Sequence, residues 1–275
     1  MTKTMNLLSN KERTFWVYPI IEGGAGTGFG GGVGIRHTDL FHRHYLLGAS
    51  YTIHIDMSQG ADVSFAKPEA FELFEKPVSY SAGAGFNRGL LNNYYGIGNN
   101  SSENNNAIYG SNDVEVGATL TYEPIDNFLL SPYFGFSIGN SMSKGSGSST
   151  PGVETIFPPA EIDGFGKWVN YADIGIRIAN DTRNSVELTQ RGGLRAFTFR
   201  NFYGLNRSGY NYNQYELDVR QFFPLWIPRQ VLLLRCNFVG KIPTDGNEIP
   251  FWRMATLDVN SPLRGFSTGR FNDRA

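Results

Sequence analysis

The sequence predicts an all-β protein, and three observations favour a transmembrane antiparallel β-barrel within that class. Several segments alternate apolar and polar side chains with a period of two residues. Short and long connections follow one another along the chain, as in outer-membrane barrels. No segment reaches the ~20 consecutive apolar residues that a membrane-spanning helix needs. The composition agrees, because 33 glycines, 14 tyrosines and 21 phenylalanines among 275 residues suit strands and turns better than helices.

The alternation is clearest in residues 45–56, 113–122, 214–220 and 231–241, where apolar side chains occupy every second position. Successive side chains of a strand point to opposite faces, so each segment is predicted to have one apolar and one polar surface. About eleven strands are predicted on this basis. They lie at roughly 28–37, 43–56, 60–67, 78–88, 92–98, 107–123, 128–140, 167–179, 194–204, 210–223 and 231–243.

The connections support a barrel more than a soluble fold. Residues 123–127 and 225–229 form short connections, whereas 141–166 and the segment from Thr244 onward are long and polar. Many predicted strands also reach the ~9–11 residues that a tilted strand needs to cross a bilayer. A soluble β-sandwich alternates too, with its apolar face inward, so the pattern alone leaves that alternative open.

Charge and cysteine content exclude several classes of protein. The formal net charge of −1 at pH 7 argues against a nucleic-acid-binding protein, which usually carries a basic surplus. The single cysteine, Cys236, excludes a disulfide framework and a cysteine-based metal cluster within this chain. Residues 1–13 contain lysines without an apolar segment behind them, so no secretory signal is visible.

The sequence contains only weak matches to motifs for cofactor binding, metal binding or catalysis. Residues 26–31 fit GxGxxG, but an extended pattern follows where a dinucleotide site needs a helix, so we interpret them as strand glycines. His37, His42 and His44 cluster at one hairpin without a carboxylate at helical spacing, and we interpret them as loop histidines. No Gly-x-Ser-x-Gly elbow occurs. We therefore predict no enzyme, no cofactor and no metal site.

Charged residues on the polar strand faces are predicted to line the barrel lumen. They alternate in sign at strand spacing, which favours a ladder of ion pairs over acid–base catalysis. The predicted lumen-facing charges are Glu216, Asp218, Arg220, Arg235 and Lys241. Cys236 falls on the apolar face, where packing or lipid contact is expected.

Four short motifs carry a family resemblance. The first is residues 261–274, which contain Leu-Arg-Gly-Phe and then Gly-Arg-Phe-Asn-Asp. The second is Asp181-Thr182-Arg183, followed by Gly193 at the entry to the next strand, with Thr189 near a position where a proline is usual. The third is residues 95–99, Tyr-Gly-Ile-Gly-Asn, and the fourth is the glycine-rich run 28–34.

In this order and spacing the motifs resemble the BamA/TamA-like bacterial surface-antigen superfamily across nearly the whole chain. The resemblance implies a sixteen-stranded outer-membrane barrel whose sixth extracellular loop folds back into the lumen. The implied loop-six residues are Leu263, Arg264, Gly265, Phe266, Gly269, Arg270 and Asp273. The implied periplasmic turn residues are Asp181, Thr182, Arg183 and Gly193. Within that family context we predict that Arg264 pins the loop to a lumenal carboxylate, since a guanidinium offers five donors in a rigid fork.

The resemblance also implies organisation, function and partners. Residues 1–14 are expected to be a tail and 15–275 a partial barrel domain that lacks the closing strands. The implied function is insertion of barrel proteins, or translocation of a passenger, through a seam of which residues 29–36 form one lip. The expected partners are outer-membrane lipid, unfolded clients or a passenger, and periplasmic domains or accessory lipoproteins, but no nucleic acid. A barrel anchor or exporter for a fused domain, a passive pore and a soluble binding protein remain alternatives.

Overall fold

The alternating segments form eleven long strands in the computed structural model. The structure describes residues 9–10, 12–24, 28–206, 208–227, 230–244, 246–257 and 269–274. The strands are β1 Phe15–Gly24, β2 Gly28–Leu40, β3 Tyr45–His54, β4 Gln59–Leu73, β5 Lys76–Tyr94, β6 Ala107–Ile125, β7 Phe128–Ser143, β8 Val169–Asp181, β9 Gly192–Gly204, β10 Tyr212–Pro224 and β11 Val231–Pro243.

These strands make one sheet in chain order, and every neighbouring pair is antiparallel. The sheet has the antiparallel, chain-order topology of a barrel wall, and among the described residues β1 and β11 do not pair with each other. Two further strands, β12 Ala255–Leu257 and β13 Phe271–Asp273, form a separate antiparallel pair. In the described part of the chain, helical structure is limited to α1 Val153–Ile156 and to three short 3-10 turns at Glu103–Asn105, Ser208–Tyr210 and Phe251–Arg253.

The connections divide the sheet into two ends. At one end, which we call the turn end, strands are joined through residues 41–44, 74–75, 126–127, 182–191 and 225–230. The opposite end, the loop end, carries residues 55–58, 95–106, 144–168, 205–211 and the chain after β11. In outer-membrane barrels the short connections face the periplasm and the long loops face the exterior, and the two ends of this sheet show the same asymmetry.

The outer face of the sheet is apolar and exposed. Ile174 is 60% exposed, and Phe134 lies opposite it on β7, with Val116 and Leu217 on the same face. A contiguous exposed apolar surface of this kind needs a partner phase, which is lipid for an outer-membrane barrel. The soluble β-sandwich is therefore the wrong alternative, because that fold packs two sheets with their apolar faces inward.

The buried residues collect where the loops pack against the inner face near the loop end. One cluster joins β8, β9 and β10 to the chain after β11, and it contains Val169, Tyr171, Phe202, Tyr210, Tyr212, Ile249 and Met254. A second joins β5 and β6 to the 144–168 loop, and it contains Tyr94, Ala107, Val153, Phe157, Ile162 and Phe251. Both clusters fix loops to the wall.

The predicted strand number is confirmed, but two strand assignments are wrong. The first strand is β1, Phe15–Gly24, which the sequence reading left out, so the glycine-rich run lies on the second strand. Residues 78–88 and 92–98 were predicted as two strands, yet β5 runs from Lys76 to Tyr94 through an irregularity between Gly89 and Asn92. The two errors cancel in the count of eleven.

Within the part of the chain that the structure describes, no helix has the length and apolar character to cross a membrane.

Candidate functional site

The described residues after β11, which are 244, 246–257 and 269–274, pack against the inner face of the sheet and its loops, and we call them the returning segment. Its first anchor is Arg253, whose side chain is only 11% exposed. The guanidinium Nη2 donates to Asp113 Oδ1 on β6 at 2.8 Å, and it lies 5.0 Å from the ring of Tyr171 on β8. The carbonyl of Arg253 accepts a 2.6 Å hydrogen bond from Lys241 Nζ. One loop residue therefore ties three strands together across the lumen.

Aromatic packing places this arginine. Phe251 is 1% exposed and sits edge-on to Tyr94, Tyr109 and Trp252, with ring centroids 4.9–5.6 Å apart. Edge-to-face pairs of this kind stabilise beyond the area they bury. The backbone N–H of Phe251 also donates to the Asp163 carbonyl of the 144–168 loop at 3.2 Å. The returning segment is therefore held by packing as well as by charge.

Arg270 is the second anchor, and it was predicted from the Gly-Arg-Phe-x-Asp motif. Its Nη1 donates to Ser101 Oγ and its Nη2 to the Ser101 carbonyl, both at 2.6 Å. The guanidinium lies 5.4 Å from the Tyr95 ring and 4.7 Å from the Phe271 ring. This contact joins the returning segment to the β5–β6 loop.

Two of the resembling motifs meet at this point. Ile97 forms a parallel bridge with Asn272, and Gly98 N–H donates to the Asn272 carbonyl at 2.8 Å. Gly269 has φ +72°, and a Cβ there would collide with the Asn93 carbonyl oxygen. Only glycine fits at such a close backbone approach with a left-handed conformation. The Tyr-Gly-Ile-Gly-Asn turn is thus the docking surface for the Gly-Arg-Phe-x-Asp tail.

The inner face beside Arg253 carries a polar cavity of about 340 Å³. On its wall Arg200 donates to Asp173 Oδ2 through Nε at 2.9 Å and Nη2 at 2.7 Å. Arg200 also lies 4.4 Å from the Tyr133 ring, and Asp173 is almost fully buried. A buried carboxylate of this kind needs a partner, and the two-nitrogen contact supplies it.

The predicted lumenal charges lie on the inner face but fall into two groups. Asp218 joins Arg220 and Arg235, with Arg220 Nε at 3.0 Å and Arg235 Nε at 3.2 Å from Asp218 Oδ1. Lys241 instead belongs to the Arg253 anchor nearer the loop end. Glu216 shares their strand face and lies opposite Thr198 and Val239.

The periplasmic turn motif forms a closed hydrogen-bonded unit. Arg183 Nε and Nη2 donate to the two carboxylate oxygens of Asp181 at 2.8 and 2.6 Å, and these side-chain hydrogen bonds raise the pKa of Arg183. Thr182 N–H donates to the Gly193 carbonyl at 2.8 Å, and Gly193 N–H donates to Thr182 Oγ1 at 3.0 Å. The motif fixes the β8–β9 connection at the turn end.

The remaining predicted loop-six residues, Leu263, Arg264, Gly265 and Phe266, lie outside the described residues. Sequence reasoning missed Arg253 and Arg200 as lumenal groups. Arg253 lies in a loop without periodicity, and its only signal was its place in an aromatic run, Phe-Trp-Arg-Met. Arg200 could have been found from its two-residue spacing to Thr198 on the polar face of β9.

Among the described residues no group of three metal-ligating side chains comes together. His42 and His44 each place Nδ1 3.6 Å from a carboxylate oxygen of Asp39, and both are more than four-fifths exposed. His37 lies on β2, where its ring is 6.0 Å from that of Phe15.

Comparison with known proteins agrees with this architecture. Residues 45–275 match the model of the Omp85 superfamily domain. No curated protein sequence matches the chain. BamA from Haemophilus ducreyi lacking POTRA domains 1–3 is similar with a TM-score of 0.65 and 16% identity, over 93% of this chain and 46% of that chain. CdiB from Acinetobacter baumannii gives 0.49 and 14%, over 94% of this chain and 43% of that chain.

The chain therefore spans less than half the length of either solved structure. The family match covers most of the chain, and the likeness to BamA is a likeness of fold. The eleven antiparallel strands, the apolar outer face and this match together assign the chain to the Omp85 superfamily, as an integral β-barrel protein of the bacterial outer membrane.

Proposed function

We propose that this barrel wall assists insertion of other barrel proteins, or translocation of a passenger, by adding client strands to β1. The observation that carries the proposal is the free edge of β1. Among the described residues β1 pairs with β2 alone along its length, apart from one isolated bridge between Ser9 and Trp16. An unpaired strand edge offers N–H and C=O groups to an incoming strand. We therefore propose the seam at β1 rather than at residues 29–36, because β2 has a neighbouring strand on both sides.

The backbone of β1 tells which groups face this edge. Phe15 N–H donates to Asn10 Oδ1 at 3.0 Å, and the Phe15 carbonyl accepts from Asn10 N–H at 3.1 Å, so Phe15 points away from β2. The register from Phe15 to Gly24 is unbroken. Backbone groups alternate sides along a strand, so Val17, Pro19 and Ile21 also face the edge. Pro19, which has no N–H, is tolerated there because it removes no β1–β2 hydrogen bond.

The returning segment has a supporting role in this proposal. Its two arginine anchors join β6, β8, β11 and the β5–β6 loop, which keeps the lumenal side of the wall fixed while the β1 edge engages a client. We also propose, from the family resemblance alone, that Arg264 of the Leu-Arg-Gly-Phe motif pins its loop to a lumenal carboxylate. The clients are unfolded barrel proteins or a passenger, with periplasmic domains or accessory lipoproteins as further partners. The action is physical and needs no covalent chemistry.

Ile21→Pro tests the proposal directly. The substitution removes one edge-facing N–H and leaves the β1–β2 ladder intact, while Ile21→Ala keeps that N–H and serves as the matched control. The chain is refolded into phospholipid vesicles, and the folding rate of a urea-denatured outer-membrane barrel client is followed by heat-modifiable gel mobility. We expect the wild type and Ile21→Ala to accelerate client folding and Ile21→Pro to lose most of that acceleration.

Equal acceleration by both variants would contradict templating at β1. If even the wild type gives no acceleration but the vesicles conduct ions steadily, the chain is a passive pore. With neither activity, an anchor or exporter for a fused domain is the better function.

A further inference from the structure

A basic notch opens at the turn end of the sheet, between the β2–β3 turn and β4. It has a volume of about 570 Å³ and is lined by Arg43, His44, Lys67, Pro68 and Glu69. The notch exists because β4 is irregular between Lys67 and Phe71, where Glu69 adopts φ +52°. Neither Arg43 nor Lys67 forms an ion pair within the described part of the chain, so two cations lack a protein carboxylate.

Three aromatic rings lie beside the notch on the lipid-facing side. Tyr45 and Phe65 stack with centroids 5.2 Å apart, and Phe65 lies 6.1 Å from Tyr80. Lys67 Nζ lies 4.8 Å from the centroid of the Tyr45 ring. Tyr45 and Lys67 share the outer face, because Leu47 pairs with Phe65 and Lys67 with Tyr80 in unbroken alternation. Aromatic residues of this kind mark the level of the lipid headgroups.

We propose that this notch binds the phosphate of one phospholipid headgroup in the periplasmic leaflet, with Arg43 and Lys67 as its donors. Arg43 offers a planar fork suited to phosphate oxygens, and Lys67 offers a point charge that lies over the Tyr45 ring. The adjacent rings meet the glycerol and the upper acyl chain. Glu69 also lines the notch, and its negative charge repels a phosphate dianion more than a singly charged phosphate. It therefore favours the phosphodiester of a lipid over inorganic phosphate.

This inference rests on the outer-membrane location and does not depend on client handling at β1. Other cations on the outer face differ from the notch. Arg195 is held by side-chain amides, with Nη1 at 3.4 Å from Asn180 Oδ1 and Nη2 at 3.2 Å from Gln221 Oε1. Arg88 lies on the outer face of β5 towards the loop end, opposite Gln59 and Asn112. Arg88→Gln is therefore a matched control, because it removes one outward-facing positive charge away from the notch.

The folded chain in detergent micelles is titrated with phosphatidylglycerol. Native mass spectrometry then counts the lipid molecules bound to each chain. We expect one tight site in the wild type and in Arg88→Gln. The double variant Arg43→Gln/Lys67→Gln should bind about thirtyfold more weakly, since each basic residue near an anionic lipid surface contributes to affinity. Client folding by vesicles that contain Arg43→Gln/Lys67→Gln is measured in parallel and should equal that of the wild type, because the notch takes no part in the proposed templating at β1.

Two further arms use only the wild type, so the test does not depend on the variants folding. Diacylglycerol, which has the same chains without the phosphate, should not occupy the site, and inorganic phosphate alone should not be retained. Equal binding of diacylglycerol, or of phosphatidylglycerol to the double variant, would overturn the proposal. Retention of inorganic phosphate in place of lipid would overturn the assignment of a lipid ligand.

Discussion

The inner wall has two contrasting halves. Towards β1 and the turn end it is made mainly of small and short polar residues, and few of the described residues pack over them. These residues are Gly34, Gly48, Ser64, Ser81, Gly83, Gly85, Gly117 and Thr119. From the loop end of β6 to β11 the wall carries buried aromatic and charged side chains, and the returning segment covers it. We call these the bare half and the covered half.

The strands of the two halves are held together in different ways. The covered half is cross-linked by packing and by ion pairs such as Arg253–Asp113, so its strands move together. The bare half is held mainly by its backbone ladder, and glycine-rich strands specify packing weakly. The edge strand β1 adjoins the bare half, so in the proposed function a client strand would meet the half that has fewer side-chain cross-links.

Arg253→Ala should produce the largest effect on this contrast. Removing the guanidinium leaves Asp113 without its cation on a mostly buried inner face, which costs about 3 kcal/mol of unfolding free energy. Arg36→Ala is the matched control, because Arg36 lies on the inner face of the bare half and its side chain is exposed. Urea unfolding in micelles measures both, and similar losses in the two variants would show that the halves do not differ.

Ile174→Arg separates the outer face from the bare inner face. An arginine facing lipid near the bilayer midplane costs about 2–4 kcal/mol, and Leu217→Arg should behave alike. Thr119→Arg puts the same side chain on the bare half of the lumen and should change stability little. Heat-modifiable gel mobility after refolding reports integration. Loss of the folded band in Thr119→Arg alone would reverse our assignment of the two faces.

Gly135→Ala and Gly85→Ala compare the halves with a single methyl group. A Cβ at Gly135 would lie 2.7 Å from Asp173 Oδ1, in a carboxylate that Arg200 holds through Oδ2, and even closer to the Tyr133 hydroxyl. Overpacking of that kind costs about 1–3 kcal/mol. At Gly85 the nearest atom is Asp62 Oδ1 at 3.1 Å, on an exposed side chain, so the change should stay within about 0.5 kcal/mol. Equal urea midpoints would contradict the difference in packing.

The sequence predicts strands well where their two faces differ in polarity, and poorly where they do not. Strands such as β6 and β10 were predicted correctly, because their two-residue period records one lipid face and one lumenal face. The same period identified Asp218, Arg220 and Lys241 as inward-facing. Strand β1 escaped because its sequence, Phe-Trp-Val-Tyr-Pro-Ile-Ile, is apolar on both faces and contains a proline.

The loop anchors depend on contacts between residues far apart in sequence. Arg253 meets Asp113 across 140 positions, and Arg270 meets Ser101 across 169. No local pattern encodes such a pairing, so only the resemblance pointed to Arg270, and the aromatic run around Arg253 was its sole signal. The strand irregularities at Lys67–Phe71 and Gly89–Asn92 were missed for a related reason, since a bulge breaks the alternation that defines a strand.

Pro19 has a consequence for self-association. An exposed edge strand is a template for fibril-like stacking of identical chains, which requires a continuous row of hydrogen bonds. Pro19 is one of the edge-facing positions between Phe15 and Ile21, so any strand that pairs with β1 lacks one backbone hydrogen bond. In a β1–β1 dimer each copy contributes a Pro19 without an N–H, so two interstrand hydrogen bonds are lost. A strand of another sequence that pairs with β1 loses only one. The proline therefore acts as a gatekeeper that discourages homotypic aggregation while leaving the edge open to other sequences.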